Sequence, residues 1–196
     1  MLLDVSTIRD VLFDNNVNKN RNDIALSDGA REVSWQELRE NCISLAMEMK
    51  ATLGLDAHQH IALLIGNRAE FIESMLAGII AGLWITPVNT HLNADEISHI
   101  VNDSGAKVLL YDHQHEFLVD EIEKSNKPIC ECKNIETLCS TTYSVFDERD
   151  SEKVECCFPL SGPAGGTMLY TSGTTGKPKG VKRNKPNSLG EAIQRM

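Results

Sequence analysis

Hydrophobic and polar positions alternate along the chain in short blocks whose period switches between that of strands and that of helices. Ile24–Ser27 is predicted as a short strand, Asp28-Gly29 as a turn, and residues 31–34 as the partner strand. Ser34 stands three residues before Glu37, the spacing of a capping box in which each side chain accepts from a free backbone amide. The pattern therefore predicts a hairpin that leads into a helix.

The predicted helix has an apolar stripe with intervals of three and four residues, formed by Leu38, Cys42, Leu45, Ala46 and Met49. This spacing places the five side chains on one helix face. Gly54 is predicted to end the helix, since glycine adopts the left-handed conformation common at helix ends.

Further strand–helix units are predicted between residues 61 and 124. The strands are 61–65, 84–88 and 107–111, all short and apolar. Asn67 is predicted to cap the helix that carries Phe71, Met75 and Ile79 at intervals of four. The fold class predicted from these repeated units is α/β, with strand–helix units around a largely parallel sheet.

The next two predicted helices complete this pattern. Asn93 is expected to cap a helix whose Ile97, Ile100 and Val101 face one side, and Gly105 to end it. A further helix is predicted at 115–124. From about 125 to 161 the periodicity weakens, and an irregular connection with one short strand is predicted.

Charge is distributed unevenly along the chain. The net charge is −9, with +5 on residues 161–196 and −14 on the preceding residues. An acidic body of this kind repels nucleic acid and anionic membranes. The longest apolar run, 75–88, is shorter than the ~20 residues that span a bilayer, so no transmembrane segment is predicted. With no secretory signal at its start, the chain is expected to be cytoplasmic.

The six cysteines contain no CxxC pair with zinc-finger spacing. They are interpreted as reduced, partly buried thiols, and the sequence offers no support for a regulatory disulfide. Two histidine pairs, His58/His60 and His113/His115, are interpreted as solvated. No metal site is predicted from them, because two ligands in polar loops are too few.

The stretch 167–181 carries the candidate chemistry. An apolar strand leads into a loop rich in glycine, hydroxyl and lysine residues. The glycines, Gly173, Gly176 and Gly180, permit positive φ and close approach of backbone amides to a ligand. Hydroxyls and an ammonium group add donors, so the loop is suited to wrap the oxygens of a polyphosphate.

The Walker A pattern does not fit this loop. That pattern requires a glycine five residues before Gly-Lys and a Ser or Thr after it, but Thr171 and Pro178 occupy these positions around Gly176-Lys177. A flexible hairpin loop with solubilising lysines is the simple alternative. It is disfavoured because the segment is twelve residues long and specific at nearly every position.

Residues 170–181, Tyr-Thr-Ser-Gly-Thr-Thr-Gly-Lys-Pro-Lys-Gly-Val, resemble the phosphate loop of the adenylate-forming superfamily, which includes acyl-CoA synthetases, luciferases and peptide-synthetase adenylation domains. Upstream segments are similar as well, at 33–38, 61–71, 77–89 and 96–110. The resemblance covers nearly the whole chain from about residue 8 to residue 181. It implies the N-terminal portion of the large domain, with 1–160 as an α/β subdomain and 161–196 as the strand and loop that open the next.

This resemblance implies that ATP activates a carboxylic acid as an acyl-adenylate, with release of pyrophosphate, and that coenzyme A then takes the acyl group. The loop would grip the β- and γ-phosphates. The implied phosphate contacts are Thr171, Ser172, Gly173, Thr174, Thr175 and Gly176, with Lys179 as the loop's cation. Lys177 is interpreted as a solvent-exposed lysine. The ligand of Mg²⁺, the adenine contacts, the acyl pocket and any catalytic residue are expected outside this sequence.

Family members are more than twice as long, so the chain is expected to be an incomplete part that is inactive alone. The alternatives are a non-catalytic paralogue that binds nucleotide weakly or docks to a full-length relative, and a remnant without function. Truncation also predicts exposed apolar surface and self-association. Lys182-Arg183-Asn184-Lys185-Pro186 weakly resembles synthetases of large lipid or steroid-like acids, whereas a polar terminal loop explains it equally well.

Overall fold

The computed structural model describes residues 22–125, 130–142, 163, 165–171 and 178–182. Within them the chain forms an N-terminal hairpin and an open α/β layer structure. The predicted loop residues Ser172, Gly173, Thr174, Thr175, Gly176 and Lys177 lie outside the described residues, as does the run 183–186.

The N-terminal hairpin pairs β1 (Ile24–Ser27) with β2 (Glu32–Ser34) in antiparallel register. Helix α1 (Trp35–Ala51) begins at the predicted capping box: the Ser34 hydroxyl accepts from the Glu37 amide, and the Glu37 carboxylate accepts from the Ser34 amide. The helix ends at Thr52 rather than at Gly54, although Gly54 does have a positive φ of 59°. The hairpin and its helix therefore follow the local sequence signals closely.

Six strands form the main sheet in the order β6-β5-β3-β4-β7-β8. The strands are β3 (His60–Leu64), β4 (Trp84–Pro87), β5 (Ala106–Tyr111), β6 (Glu131–Asn134), β7 (Gly166–Thr171) and β8 (Lys179–Lys182). Every neighbouring pair is parallel except β7 with β8. The predicted largely parallel sheet is confirmed. The predicted boundary near residue 160 stays a prediction, and β7 pairs directly with β4.

Helices cover both faces of this sheet. The helices are α1, α2 (Ala69–Ile80), α3 (Ala94–Ser104), α4 (Glu116–Lys124) and α5 (Ile135–Thr142), with a short 3₁₀ turn at His113–His115. Buried residues of α1, α2 and α5 share one apolar cluster with Ile61, Leu63 and Ile85. Those of α3 and α4 share a second cluster with Ala62 and Leu109. Successive strand residues point to opposite faces, so the central strands β3 and β5 contribute to both clusters.

The start of α2 differs from the prediction. The helix is capped at Arg68 without a side-chain hydrogen bond, so Asn67 is not its cap. Instead Asp28, in the distant hairpin turn, accepts from the Ala69 amide at 3.0 Å. Backbone hydrogen bonds from Ala69, then Arg31 and Ala30, lower the pKa of Asp28 to about 2. A tertiary contact has replaced the local cap.

A second difference lies in the stretch predicted as irregular. The short strand is present as β6, but it leads directly into α5, which was not predicted. Serine, threonine and cysteine dominate this helix, and all have modest helix propensity. Ile135, Leu138 and Cys139 are buried against the first apolar cluster, and their spacing of three and four residues was the available signal.

The predicted cap and end of helix α3 are both confirmed. Asn93 forms a capping box with Glu96, and Gly105 ends the helix in the left-handed conformation with φ 70°. Ile97, Ile100 and Val101 are all buried. Among the described residues, no helix is long and apolar enough to cross a membrane.

Candidate functional site

The predicted phosphate loop connects the two strands of the β7–β8 hairpin. Thr171, the last residue of β7, lies directly opposite Lys179, the first residue of β8. We call these two residues the hairpin mouth. Of the predicted site residues, the described part of the chain includes these two, and the strand register brings them together.

The hairpin mouth lies at the carboxyl edge of the parallel sheet, because β7 runs parallel to β4. In open α/β sheets, ligands bind outside this edge. Thr171 and Lys179 are both exposed. Among the described residues Lys179 has no ion-pair partner, so its charge is available to an anionic ligand.

Gly180 does not have the positive φ that its place in the loop predicted. Among the described glycines, positive φ occurs at Gly29, Gly54, Gly82 and Gly105. Gly180 lies in strand β8, opposite Tyr170. A Cβ at this position would overlap the Met168 Cε and stand 2.9 Å from the Tyr170 Cζ. Glycine here leaves room for the ends of these two side chains, and backbone conformation is not the reason for it.

Tyr170 ties the hairpin to helix α3. Its hydroxyl donates to the Asp103 Oδ2 at 2.6 Å, and its ring packs against the second apolar cluster. Burial, followed by the hydrogen bond and charge of Asp103, raises the pKa of Tyr170. The hydroxyl therefore stays protonated and acts as a donor that positions β7.

The opposite end of the hairpin is tightly packed, and we call it the hairpin base: Gly165, Gly166 and Lys182, with Trp84 and His60 beneath them. The Gly165 amide donates to the Ile79 carbonyl at 3.1 Å, and the Gly166 amide donates to the Leu83 carbonyl at 3.0 Å. A Cβ on Gly165 would stand 2.5 Å from the Leu83 carbonyl oxygen. No side chain larger than hydrogen fits there without backbone movement.

Lys182 closes the hairpin base. Its ammonium lies 5.2 Å from the centroid of the Trp84 ring and 3.3 Å from the His60 Nε2. The rings of His60 and Trp84 stack with centroids 5.8 Å apart. Burial, and secondly the charge of Lys182, lower the pKa of His60. The interpretations of His60 as solvated and of Lys182 as part of a polar terminal loop are therefore wrong.

Sequence reasoning also missed a polar network at the carboxyl ends of β3 and β5. Asp112 is fully buried and accepts from the Gly66 amide at 2.8 Å. Its other oxygen lies 2.5 Å from the Nδ1 of His115, which is only 13% exposed, so the solvated interpretation is wrong for this histidine too. His58 and His113 are exposed as predicted.

Glu136 forms a second polar group nearby in sequence, by pairing with Arg68 and His113. Burial raises the pKa of Glu136, but hydrogen bonds from His113 and backbone amides and the charge of Arg68 outweigh it and leave that pKa below its usual value. These groups satisfy one another, which is typical of a structural network. Within the described ranges, no group of three or more His, Cys, Asp or Glu residues is arranged to hold a metal ion.

Comparison with known proteins extends these observations. The chain is 31% identical over 163 residues to a hybrid PKS-NRPS synthetase of Emericella nidulans, covering 83% of this chain and 4% of that protein. It is 32% identical over 137 residues to a long-chain-fatty-acid–CoA ligase of Mycobacterium tuberculosis, covering 68% of this chain and 26% of that protein. The chain thus spans about a quarter or less of either protein.

A solved structure shows the same fold. The anthranilate CoA ligase in complex with anthranoyl-AMP superposes with a TM-score of 0.69 at 22% identity, over 90% of this chain and 33% of that chain. The family described as AMP-binding enzyme matches residues 13–194, which includes the sheet, its helices and the whole β7–β8 hairpin. The chain therefore belongs to the AMP-binding enzyme family.

Proposed function

We propose that the β7–β8 hairpin holds the phosphates of ATP while a carboxylic acid is activated as an acyl-adenylate. The observation that supports this most directly is the hairpin mouth. It pairs a hydroxyl with an exposed cation across the ends of a Gly/Ser/Thr-rich loop. Its position at the carboxyl edge of a parallel sheet is the usual place for a ligand in such folds.

The proposed phosphate contacts are Thr171, Ser172, Gly173, Thr174, Thr175, Gly176 and Lys179. In this reaction the substrate carboxylate attacks the α-phosphorus, the bond to the bridging oxygen breaks, and pyrophosphate leaves with the additional charge. Lys179 and the loop donors would stabilise that developing charge. Thr171 would hold the loop's first end in place and donate its hydroxyl to a phosphate oxygen.

The second half of the proposed reaction transfers the acyl group to the thiol of coenzyme A. The name of the long-chain-fatty-acid–CoA ligase relative supports both the thiol and a fatty or other lipid-like acid. Mg²⁺ would supply positive charge to the phosphates, and we assign none of the described residues to it. Because the chain spans only part of its relatives, we assign it the phosphate-holding step and propose that the complete reaction needs the remaining part of such an enzyme.

Titration calorimetry of the purified chain with ATP and MgCl₂ tests this proposal. Lys179→Ala removes a charged hydrogen bond worth about 1.5–3 kcal/mol, so ATP affinity should fall roughly ten- to a hundredfold. Lys182→Ala is the matched control, since it removes the same charge from the other end of the same strand and should leave ATP affinity unchanged.

Equal weakening by both variants would refute a specific role for the hairpin mouth, because it would indicate only general charge attraction. Absence of ATP binding by the folded wild-type chain would refute phosphate holding by this chain. Pyrophosphate release from ATP by the chain alone would instead contradict the proposal that the reaction needs a further part.

A further inference from the structure

Two cysteines lie side by side at the edge of the main sheet, away from the hairpin. Cys130 precedes β6, Cys132 is its second residue, and Glu131 separates them. Residues two apart on a strand point to the same face, and both cysteines pack against the second apolar cluster while staying partly exposed. They are therefore neighbours that a small reagent in solvent can reach.

A hydrogen bond joins the side chain of one of these residues to the backbone of the other. The Cys132 thiol lies 3.7 Å from the Cys130 carbonyl oxygen, to which it donates. Both cysteines are reduced in the structure. By contrast, Cys42 and Cys139 are buried in the first apolar cluster.

We propose that Cys130 and Cys132 form a redox-sensitive dithiol that a low-molecular-weight disulfide, such as glutathione disulfide, converts to a disulfide between these two residues. The Cys130 thiolate attacks one sulfur of the small disulfide, forms a mixed disulfide and expels one thiolate. The Cys132 thiolate then attacks the Cys130 sulfur and expels the second. The protein loses two protons and two electrons, and the small disulfide becomes two thiols.

The electrostatics of the pair supports this order of attack. The hydrogen bond with Cys132 lowers the pKa of Cys130, whereas that with Cys130, followed by burial, raises the pKa of Cys132. Since the thiolate is the nucleophile, Cys130 attacks first. Once Cys130 is part of the mixed disulfide, it no longer raises the pKa of Cys132. Cys132 can then lose its proton and attack the mixed disulfide.

Strand geometry makes the resulting bond easy to reduce. Two residues of strand rise separate Cα atoms by about 6.4–6.8 Å, at the upper end of the range of about 4.4–6.8 Å found in disulfides. Closing the bond therefore requires Cys130, which lies just outside β6, to move toward Cys132. Strained disulfides of this kind have oxidising potentials and are typical of reversible switches rather than structural cross-links.

Mass spectrometry of the full chain tests the proposal. The folded protein is incubated with glutathione disulfide, free thiols are blocked with iodoacetamide, and trypsin is added. Cleavage after Lys124 and Lys133 releases peptide 125–133, since Pro128 protects Lys127, and this peptide contains Cys130 and Cys132 but no other cysteine. The expected product is this peptide without blocked thiols and lighter by two hydrogen atoms, restored by dithiothreitol.

Two single variants, checked for folding by circular dichroism, sharpen the result. Cys132→Ser should accumulate the glutathione adduct on Cys130, because the resolving thiol is gone. Cys130→Ser should form less adduct than Cys132→Ser, because the favoured attacking thiol is gone. The peptides with Cys42 and Cys139 should remain reduced throughout.

The proposal is overturned if peptide 125–133 retains two blockable thiols after an incubation that glutathionylates the Cys132→Ser variant. A disulfide from Cys130 or Cys132 to any other cysteine also overturns it. Equal adduct formation in the two single variants would contradict the order of attack that the hydrogen bonds favour.

Discussion

The two ends of the β7–β8 hairpin each carry an exposed lysine of β8, but the two lysines differ in what their ammonium groups contact. At the hairpin mouth, Lys179 is exposed and, among the described residues, has no ion-pair partner. At the hairpin base, Lys182 lies over Trp84 and beside His60. The same residue type thus contributes to packing at one end and remains available for binding at the other.

This difference bears on the proposed phosphate-holding function of the hairpin. A loop that must close around a polyphosphate needs free donors, and ordering each backbone residue costs about 1–2 kcal/mol. The hairpin base, Gly180 beneath the Tyr170 ring, and the Tyr170–Asp103 hydrogen bond hold the two strands in register. The ends of the loop are thereby positioned before any ligand binds, which reduces the cost of binding.

The largest predicted effect comes from filling the hairpin base. Gly165→Ala places a Cβ against the Leu83 carbonyl oxygen and the Ile79 Cα, so the free energy of unfolding should fall by about 1–3 kcal/mol or more. Gly66→Ala is the matched control, because a Cβ there would meet only the Asp112 Oδ2 at 3.5 Å. Urea unfolding followed by circular dichroism measures both, and equal stability of the two variants would contradict a packed hairpin base.

A smaller effect is expected from the cation–π contact. Lys182→Met keeps the aliphatic stem but removes the charge over Trp84, and should cost about 0.5–1 kcal/mol. Lys179→Met, at the hairpin mouth, should change the free energy of unfolding by less, because its ammonium has no such contact among the described residues. Urea unfolding of both variants at one pH decides the comparison. A greater loss of the free energy of unfolding for Lys179→Met than for Lys182→Met would contradict the prediction.

The smallest effect is a pH dependence at the hairpin base. Because the folded-state pKa of His60 is lowered from 6.5 by burial and by Lys182, the unfolded chain binds more protons as the pH falls below 6.5. His60 therefore contributes stability that is present above this pH and is lost as the pH falls through its folded pKa. His60→Gln should lack this contribution, and Lys182→Met should reduce it without removing it.

Thermal unfolding at several pH values between 5 and 8 measures this contribution as the difference between wild type and variant. Other histidines titrate in the same range, and subtracting the His60→Gln curve removes their effect. Parallel curves for wild type and His60→Gln would exclude a role for His60 in the pH dependence.

Local signals in the sequence predicted local structure well. Ser34 and Asn93 cap their helices through side chains only three residues from the amides they bind, so nearby sequence was sufficient. Asn67 failed as a cap because the oxygen that binds the Ala69 amide comes from Asp28, a partner that only tertiary packing supplies. Helix α5 escaped prediction because burial against α1, rather than propensity, stabilises it.

At the candidate site, too, nearby sequence predicted some features and only tertiary contacts decided the others. The resemblance of residues 170–181 located the loop and named Thr171 and Lys179, and the remaining proposed contacts stay predictions. The resemblance did not indicate that Gly180 packs against Met168 and Tyr170 or that Lys182 contacts Trp84. These contacts join residues distant in sequence, and no pattern of spacing along one strand contains them.

The sequence by itself determined the α/β class, most helix and strand positions and the family, because hydrophobic period, caps and a long specific motif are all written in consecutive residues. Only the tertiary structure decided that Lys182 contacts Trp84 and His60 while Lys179 has no ion-pair partner among the described residues, and that Cys130 and Cys132 lie partly exposed against the second apolar cluster. Charge, burial and reactivity depend on what surrounds a side chain in space, and that is set by strands and helices far apart in the chain.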